Sequence, residues 1–549
     1  MLKRKLLIIY CLYALVLPSA AFARNPDSEI YQAPQEVIDN IKKEGMGPNS
    51  QVMKTMSYLT DVIGGRLTNS PNMKRANLWT RDTMSGWGLK NAHLEAWGPF
   101  GRGWSLKHFS AGVVSQQAIP VIAYPKAWSP STSGEITGDV VHVDIKTEAD
   151  FSKYRGKLKG AIVFVSNARR LKADFDGKAK RFTDEQLLLM ANASKPRAAR
   201  GGASRLERIR ARMTPARLKS FLEARALTAN AYKFMIAEGA AVIVDNSRKG
   251  EGGTVFVSGA RVANDPPKSL EDIFDRGRSL TARDKAAESK MIPQMTMASE
   301  DYNRIMRMVK LGEKVKMFVN IKAQYHDEDL MGYNTIAEIP GTDPKLKDEV
   351  VMLGGHLDSW HASGGATDNA AGCAVAMEAA RIIVKLGLKP RRTIRVALWS
   401  GEEQGLNGSR AYVKQHFGET NAKKPAYEKF SAYYNMDNGT GKFRGVYLQG
   451  NSGVAPIFRV WLAPFAKMGA STLTLRNTGG TDHLAFDAIG LPGFQFIQDP
   501  IEYSPVTHHS NQDNYDRIQP GDLKHNATIM AAFVYQTAMM DQKIPRKDQ

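Results

Sequence analysis

Five short stretches hold side chains of the types that bind metal ions and move protons. They are His356-Leu357-Asp358, Gly364-Gly365-Ala366-Thr367-Asp368-Asn369, Ser400-Gly401-Glu402-Glu403, Asn435-Met436-Asp437-Asn438-Gly439 and Thr507-His508-His509-Ser510, the last followed by Asp513. In extended backbone, residues two apart share a face, so one of His356 and Asp358 suits a metal while the other orients it. Glu402 and Glu403 repel each other unless a cation is near; in extended chain they point apart, one toward a metal and one toward a bound water. Singly, each stretch has an ordinary reading: Asp368 as a helix cap, Asp437-Asn438-Gly439 as a turn, Glu402-Glu403 as solvated surface. Jointly they offer two imidazoles and three or four carboxylates without a thiolate. That donor set fits a catalytic zinc site, with cobalt or manganese as substitutes.

The elements around these stretches place them alike. Thr335 to Ile339, Glu349 to Leu353, Thr393 to Trp399, Ser431 to Met436 and Gly493 to Ile497 read as strands, and Ala370 to Leu386 and Ser409 to Gln415 as helices. Alternating strands and helices predict an α/β domain with a central mixed, largely parallel sheet, whose chemistry gathers at the carboxyl ends of the strands. Cys373 falls inside the first helix and reads as core. Earlier in the chain, Gln51 to Ile63 and Asn72 to Trp87 read as helices, the first stopped by Gly64-Gly65, and Leu94 to Trp97 as a strand. From about residue 111 to 325 short β-rich runs dominate, such as Val140 to Val143 and Ala161 to Val165, interrupted by a charged helical stretch from about Thr183 to Glu223. This predicts a separate β-rich domain with a basic helical excursion at about 171–228.

Met1 to Ala23 stands apart. Lys3-Arg4-Lys5, an apolar run from Leu6 to Leu17 and Ala21-Phe22-Ala23 make the order of a secretory signal peptide, too short in its apolar part to span a bilayer. Removing it would leave Cys373 as the one cysteine, hence no internal disulfide, and would take three basic residues and no acid from a formal charge of +20. Nine of the basic residues lie between Lys195 and Lys219 against one acid, Glu207. Without interleaved aromatics that stretch reads as a solvated helical face rather than a nucleic-acid site. The expected location is periplasmic or secreted, with no membrane span after signal removal.

From Tyr333 to Arg517 the chain resembles the M28 metallopeptidases, on the stretches GGHLDSW, GATDNAAG, LWSGEEQG, NMDNGTG, GGTDHLAF and THHSNQDNYD. Within that family it looks most like the carboxypeptidase Q group and its bacterial relatives. The block 111–325 resembles a protease-associated domain inserted into the peptidase domain, and Gly64-Gly65-Arg66-Leu67-Thr68 the amino-terminal start of that domain. The implied organisation is a signal peptide (1–23), an amino-terminal part of the peptidase domain (24–110), the insertion (111–325) and the catalytic domain (326–549). The resemblance implies two zinc ions, one bound by His356 and Asp437 and the other by Glu403 and His509, with Asp368 shared. It implies Glu402 as general base acting on metal-activated water, and Asp358 orienting His356. His509 is preferred to His508 because the family places an acid four residues after the ligand, here Asp513. Many relatives have Tyr immediately before that ligand, where this chain has His508, and many have Thr after the acid, where this chain has Asn514. His508 or Tyr503 is then the candidate to stabilise the oxyanion; His483 faces the cleft or is structural.

The expected function is an exported exopeptidase, an aminopeptidase or dipeptidase on small peptides with a free amino terminus. Carboxypeptidase action is the nearest alternative, followed by a metal-free receptor-like binding protein and a single-zinc cyclase on the same fold. The partners expected are small peptide substrates and, for the chain itself, a homodimer; no nucleic acid is expected. No G-x-S-x-G, H-E-x-x-H or Walker loop is present.

Overall fold

The structure is a computed structural model that describes residues 30–115, 117–196, 205–210, 213–275 and 277–547. The signal-like segment Met1–Ala23 lies outside the described residues, as does part of the basic stretch between Lys195 and Lys219.

Two eight-stranded sheets organise the chain. The first runs, edge to edge, Lys90–Trp97, Gly332–Ile339, Thr393–Trp399, Val350–His356, Phe430–Asn435, Gly493–Gln498, Phe443–Tyr447 and Thr472–Thr474. Its four central strands, beginning at 393, 350, 430 and 493, are mutually parallel. Both strands flanking this group pair antiparallel, so the sheet is mixed. Helices Gln35–Met46, Pro71–Gly86, Ala371–Lys385 and Pro520–Met539 cover one face, and Asn407–His416 and His483–Asp487 the other. Strands such as Phe430–Asn435, buried at every position, can only lie inside such a three-layer α/β/α stack.

The second sheet is built from Gly103–Val113 to Lys316–His326, so the β-rich block starts inside the expected amino-terminal part, at Gly103 rather than near 111. Its entering and leaving strands pair antiparallel along their length and form the stalk that joins it to the first sheet. The expected single helical stretch from Thr183 to Glu223 is instead three helices: Asp184–Ala191, Arg205–Arg210 and Pro215–Ala237. Thr183 and Thr214 cap the first and third through their side chains, and Pro215 occupies a first-turn position where its missing N–H costs nothing. The third helix runs past the expected end at Glu223 to Ala237. The first of them docks Leu187 and Met190 on Ile497 of the catalytic sheet. Among the described residues no helix is long and apolar enough to cross a membrane.

Elsewhere expected and observed elements agree to within a few residues. Gln51 to Ile63 forms as Val52–Ser57 continued by a π-helical turn, and Gly64 ends it at φ +83°, a conformation that favours glycine. Cys373 is fully buried in Ala371–Lys385.

Candidate metal centre

The four central parallel strands end at Trp399, His356, Asn435 and Gln498, and every predicted ligand lies on one of these ends or in the loop that follows. His356 is the last residue of its strand, reached through Gly354 and Gly355. A Cβ on Gly354 would sit 1.9 Å from the Ala397 carbonyl oxygen and one on Gly355 3.0 Å from that of Met436, so the glycines let the neighbouring backbone close in beneath the site. Asp368 lies in a one-turn π-helix, Ala366–Ala370, entered from Gly365 at φ +60° and broken at Asp368 and Asn369, whose dihedrals are not helical. The break turns the Asp368 carboxylate into the cleft instead of leaving it as a cap for Ala371–Lys385.

The side chains converge. His356 Nε2 lies 3.2 Å from Asp368 Oδ1, 3.3 Å from Asp437 Oδ1 and 3.9 Å from Glu402 Oε2. His509 Nε2 lies 3.3 Å from Asp368 Oδ2 and 2.9 Å from Glu403 Oε2. Asp368 therefore turns one oxygen to each imidazole. The contact between His509 and Glu403 lacks hydrogen-bond geometry: both oxygens of Glu403, and Oδ2 of Asp368, are buried without a hydrogen-bond partner. Buried carboxylate oxygens without donors, aimed at the same points as imidazole nitrogens, fit cations as their missing partners. His356, Asp368 and Glu403, and likewise His356, Glu402 and Asp437, place their ligand atoms within 4.8 Å of one another.

The electrostatics agree with that reading. Burial pushes Glu402 and Glu403 well above the usual carboxylate range, and neighbouring acids push the same way, Asp437 and Asp482 on Glu402, Asp368 and Asp358 on Glu403. Burial works against charge on His356, yet the carboxylates of Asp437 and Glu402 outweigh it and hold the imidazole well above its ordinary value. Burial lowers His509, and takes His508 down to about 4, so His508 is a neutral ring at pH 7. Burial raises the Tyr503 phenol, and the charges of Asp368, Asp437 and Glu403 add to it, so Tyr503 keeps its proton. The His508 ring packs 3.8 Å from that of His509 and 4.9 Å from that of Tyr503, centroid to centroid.

A second layer of polar groups holds the loops. His356 Nδ1 lies 2.9 Å from the Asp358 carbonyl oxygen and 3.6 Å from its carboxylate. The orienting acceptor nearest the ring is thus the backbone of Asp358. Its carboxylate accepts from the Thr68 hydroxyl at 2.7 Å and from the backbone N–H groups of Glu402 and Glu403, each at 3.3 Å. It ties the general-base candidate and its neighbour to the His356 strand. Asp513 accepts from the N–H groups of Thr367 and Asp368, at 2.6 and 3.1 Å, and burial raises its carboxyl to about 7.

Arg66 is fully buried, and its guanidinium donates only to carbonyls: Leu357 (2.7 Å), Gly364 (2.6 Å), Gly365 (2.8 Å), and Leu59 and Gly64 (3.2 Å each). It fastens the His356 and Asp368 loops to one point. Neither Arg66 nor Thr68 has a role in the reading from sequence; the signal that marks them is their place in Gly64-Gly65-Arg66-Leu67-Thr68. His483 is fully buried beside Gln449 and the Thr478 carbonyl and does not line the cleft.

The cleft over these groups encloses about 630 Å³. Its walls include Asn438, Gly480, Leu484, Tyr503, His508 and Arg410 besides the clustered acids.

Residues 334–534 match peptidase family M28. Carboxypeptidase Q of Rattus norvegicus is 31% identical over 256 residues, 46% of this chain and 52% of that protein. Aminopeptidase YwaD of Bacillus subtilis is 26% identical over 258 residues, 46% of this chain and 53% of that protein. The matched stretch spans about half the length of each of these curated relatives. In three dimensions the chain is similar to a peptidase M28 precursor from Shewanella amazonensis (22% identity, TM-score 0.62, 94% of this chain and 99% of the other). It is also similar to a zinc aminopeptidase from Bacillus subtilis (18% identity, TM-score 0.52, 90% and 96%). At such identities these likenesses establish the α/β fold. The family match takes in the central strands and every clustered acid and imidazole from His356 to Asp513, so the segment that carries the site is the one that is similar to peptidase family M28.

Proposed function

We propose that the chain is an exported zinc-dependent exopeptidase that hydrolyses small peptides with a free amino terminus. The observation that supports this most is Asp368, one oxygen 3.2 Å from His356 Nε2 and the other 3.3 Å from His509 Nε2, the arrangement of a carboxylate shared between two cations. His356 and Asp437 would hold one ion, Glu403 and His509 the other, and Asp368 both. When bound, a pair of zinc ions supplies Lewis acidity at the scissile carbonyl and lowers the pKa of water toward neutrality. Glu402 is the one clustered carboxylate of the Glu402–Glu403 pair not assigned as a ligand. It takes the proton of the attacking water and returns it to the leaving amine. Its backbone is tethered by Asp358, which keeps the carboxylate facing the cleft. Two neutral donors, the Tyr503 phenol and the His508 ring, line the cleft beside Asp368 and His509 and would offer hydrogen bonds as the carbonyl oxygen gains charge. The small cleft favours short peptides. Export to the periplasm or medium rests on the order of basic, apolar and small residues in Met1–Ala23.

A carboxypeptidase reading on the same site draws on the name of the relatives, carboxypeptidase Q, and on Arg410 in the cleft wall. The two readings differ in which end of the peptide must be free. Purified chain and its Glu402→Ala variant are assayed on unblocked, N-acetylated and C-amidated dipeptides, with zinc content measured in parallel. The aminopeptidase reading expects two zinc ions in both proteins, cleavage of unblocked and C-amidated peptides by the wild type alone, and loss of that cleavage on chelation. Cleavage of acetylated but not amidated peptides would replace it by carboxypeptidase action. Absence of both metal and cleavage would leave a binding protein on a peptidase fold.

A further inference from the structure

The β-rich insertion reaches the metal centre directly. Its segment Thr254–Val257 runs antiparallel to the loop that bears His509, with Phe256 opposite Ser510. Val257 N–H donates to the His509 carbonyl at 2.9 Å, and Asn511 N–H to the Val255 carbonyl at 3.1 Å. The Asn511 side chain completes the pairing: its Oδ1 accepts from Val255 N–H at 2.7 Å and its Nδ2 donates to the Gly253 carbonyl at 3.2 Å. Four hydrogen bonds from a different domain thus bracket one metal-binding residue.

The loop needs such bracketing. His509 has φ +63°, in the left-handed region that a residue with a Cβ occupies only when its surroundings impose it. Outside the insertion, Ser510 N–H donates to the Thr507 carbonyl (3.0 Å), the Ser510 hydroxyl to the Val506 carbonyl, the Ser363 hydroxyl to the Ser510 carbonyl (2.9 Å), Gln512 N–H to the Ser510 hydroxyl (3.0 Å) and the Asn514 amide to the Asn511 carbonyl (3.3 Å). None of these reaches the His509 carbonyl, the Asn511 N–H or the Asn511 side chain, all of which are held by the insertion. The inserted segment is itself rigid. Period-two alternation sends Val255 and Val257 into a small apolar cluster with Ala298, Ala362 and Trp360, and Trp360 packs 5.8 Å from the His509 ring. On the other face, Phe256 lies under the Lys249 ammonium, 4.3 Å from the ring centroid, and that ammonium donates to the Ser504 carbonyl on the cleft wall.

We propose that Thr254–Val257 is a positioning element for the metal held by Glu403 and His509, so that the affinity of that site is set by the inserted domain. The proposal rests on the assignment of His509 as a ligand. Outer hydrogen-bond partners of metal-binding side chains typically change affinity by about 10–100-fold when removed, and the pairing belongs to that class.

The test is zinc binding, by chelator competition, to the full chain and to Asn511→Ala, Val257→Pro and His509→Ala. Asn511→Ala cuts the pairing from the catalytic side and Val257→Pro, which removes one N–H, from the insertion side. Both are expected to weaken one of two zinc-binding steps by about 10–100-fold, the same step that His509→Ala abolishes. The zinc-free Asn511→Ala protein is expected to remain folded and to melt a few degrees below wild type, since the Val255 N–H and the Gly253 carbonyl lose a partner. Unchanged binding in Asn511→Ala, beside loss of a step in His509→Ala, overturns the proposal even where Val257→Pro fails to fold. Two intact steps in His509→Ala overturn the ligand assignment itself.

Discussion

Replacing Arg66 by Met keeps most of the side-chain volume and removes every donor. Three of its bonds, to Leu357, Gly364 and Gly365, are between 2.6 and 2.8 Å, and all three acceptors belong to the loops that carry His356 and Asp368. The Gly365 carbonyl keeps the Ala370 N–H at 3.0 Å, whereas those of Leu357 and Gly364 lose their donor; a buried carbonyl left without one costs about 1–3 kcal/mol, so the two cost about 2–6 kcal/mol. The loss is offset by no longer burying a guanidinium, which costs several kcal/mol per ion. Burial lowers the pKa of Arg66, while the nearby charges of Asp513, Asp358 and Asp368 support its charged form; losing it also leaves those acids to repel one another. The net expectation is a destabilisation of about 3 kcal/mol, within a total on the order of 5–15 kcal/mol, together with weaker zinc binding. Arg66→Lys keeps the charge but not the fork and should fall between the two. Urea unfolding of the zinc-loaded proteins and chelator competition measure both effects. A loss below about 1 kcal/mol with unchanged zinc affinity would show that the carbonyls find other donors, and the inference from their geometry would be wrong.

Further expectations concern the chemistry and the fold. Glu402→Gln should retain zinc and lose about 10²–10⁴-fold in kcat, read by steady-state assay with metal analysis; retained activity would remove Glu402 as the base. Of Tyr503→Phe and His508→Gln, the one that removes the oxyanion donor should lower kcat by about 10²–10³-fold with little change in KM, and the other should be near neutral. Titration with a chelator should release zinc in two steps, and loss of the second metal should lower the melting temperature further than loss of the first, as expected for ligands that bind only the folded state. His525 is neutral in the fold: burial lowers it to about 4, the Phe443 carbonyl opposes, Lys442 adds to the lowering and Asp522 opposes again. The unfolded ring titrates near its ordinary 6.5, so the unfolded state takes up the extra proton first. Stability from this group is complete above pH 6.5 and lost as pH falls to 4, by about 3 kcal/mol in the limit at ~1.4 kcal/mol per pH unit. Denaturation of wild type and His525→Gln across that window should converge if the sign is right.

The sequence discloses the catalytic half of the fold well because its signals are local. Thr393–Trp399 coincides with its expected bounds, since it is a run of one periodicity with clear stops. The helix Pro520–Met539 carries no expectation because nearly every residue from Asp522 to Ala538 is buried, and a helix buried all round has no amphipathic period to read. The short strands Phe443–Tyr447 and, at the sheet edge, Thr472–Thr474 are silent for want of length. In the site, His356, Asp368, Glu402, Glu403, Asp437 and His509 are legible as a set because each follows a strand, and the structure brings them together. What holds them is not legible: Arg66 acts at Leu357 and Gly364 from 291 and 298 positions away, and Val257 at His509 from a different domain of the chain.

These contacts divide the centre into two unlike halves. His356 ends a strand of the central sheet and is fully buried, with Asp437 just past the end of the next strand. Its geometry is fixed by the sheet, Arg66 and Asp358, all outside the insertion. The His509 side chain is a quarter exposed, on a loop of left-handed backbone at the edge of the cleft, and much of its restraint comes from the insertion. Asp368 belongs to both halves, and Asp513, four residues beyond His509, holds the Asp368 backbone. Displacing the His509 loop would therefore disturb Asp368 through Asp513 as well as the imidazole itself. A motion of the inserted domain would reach the metal site by two bonded routes, whereas the His356 half would feel it only through Asp368.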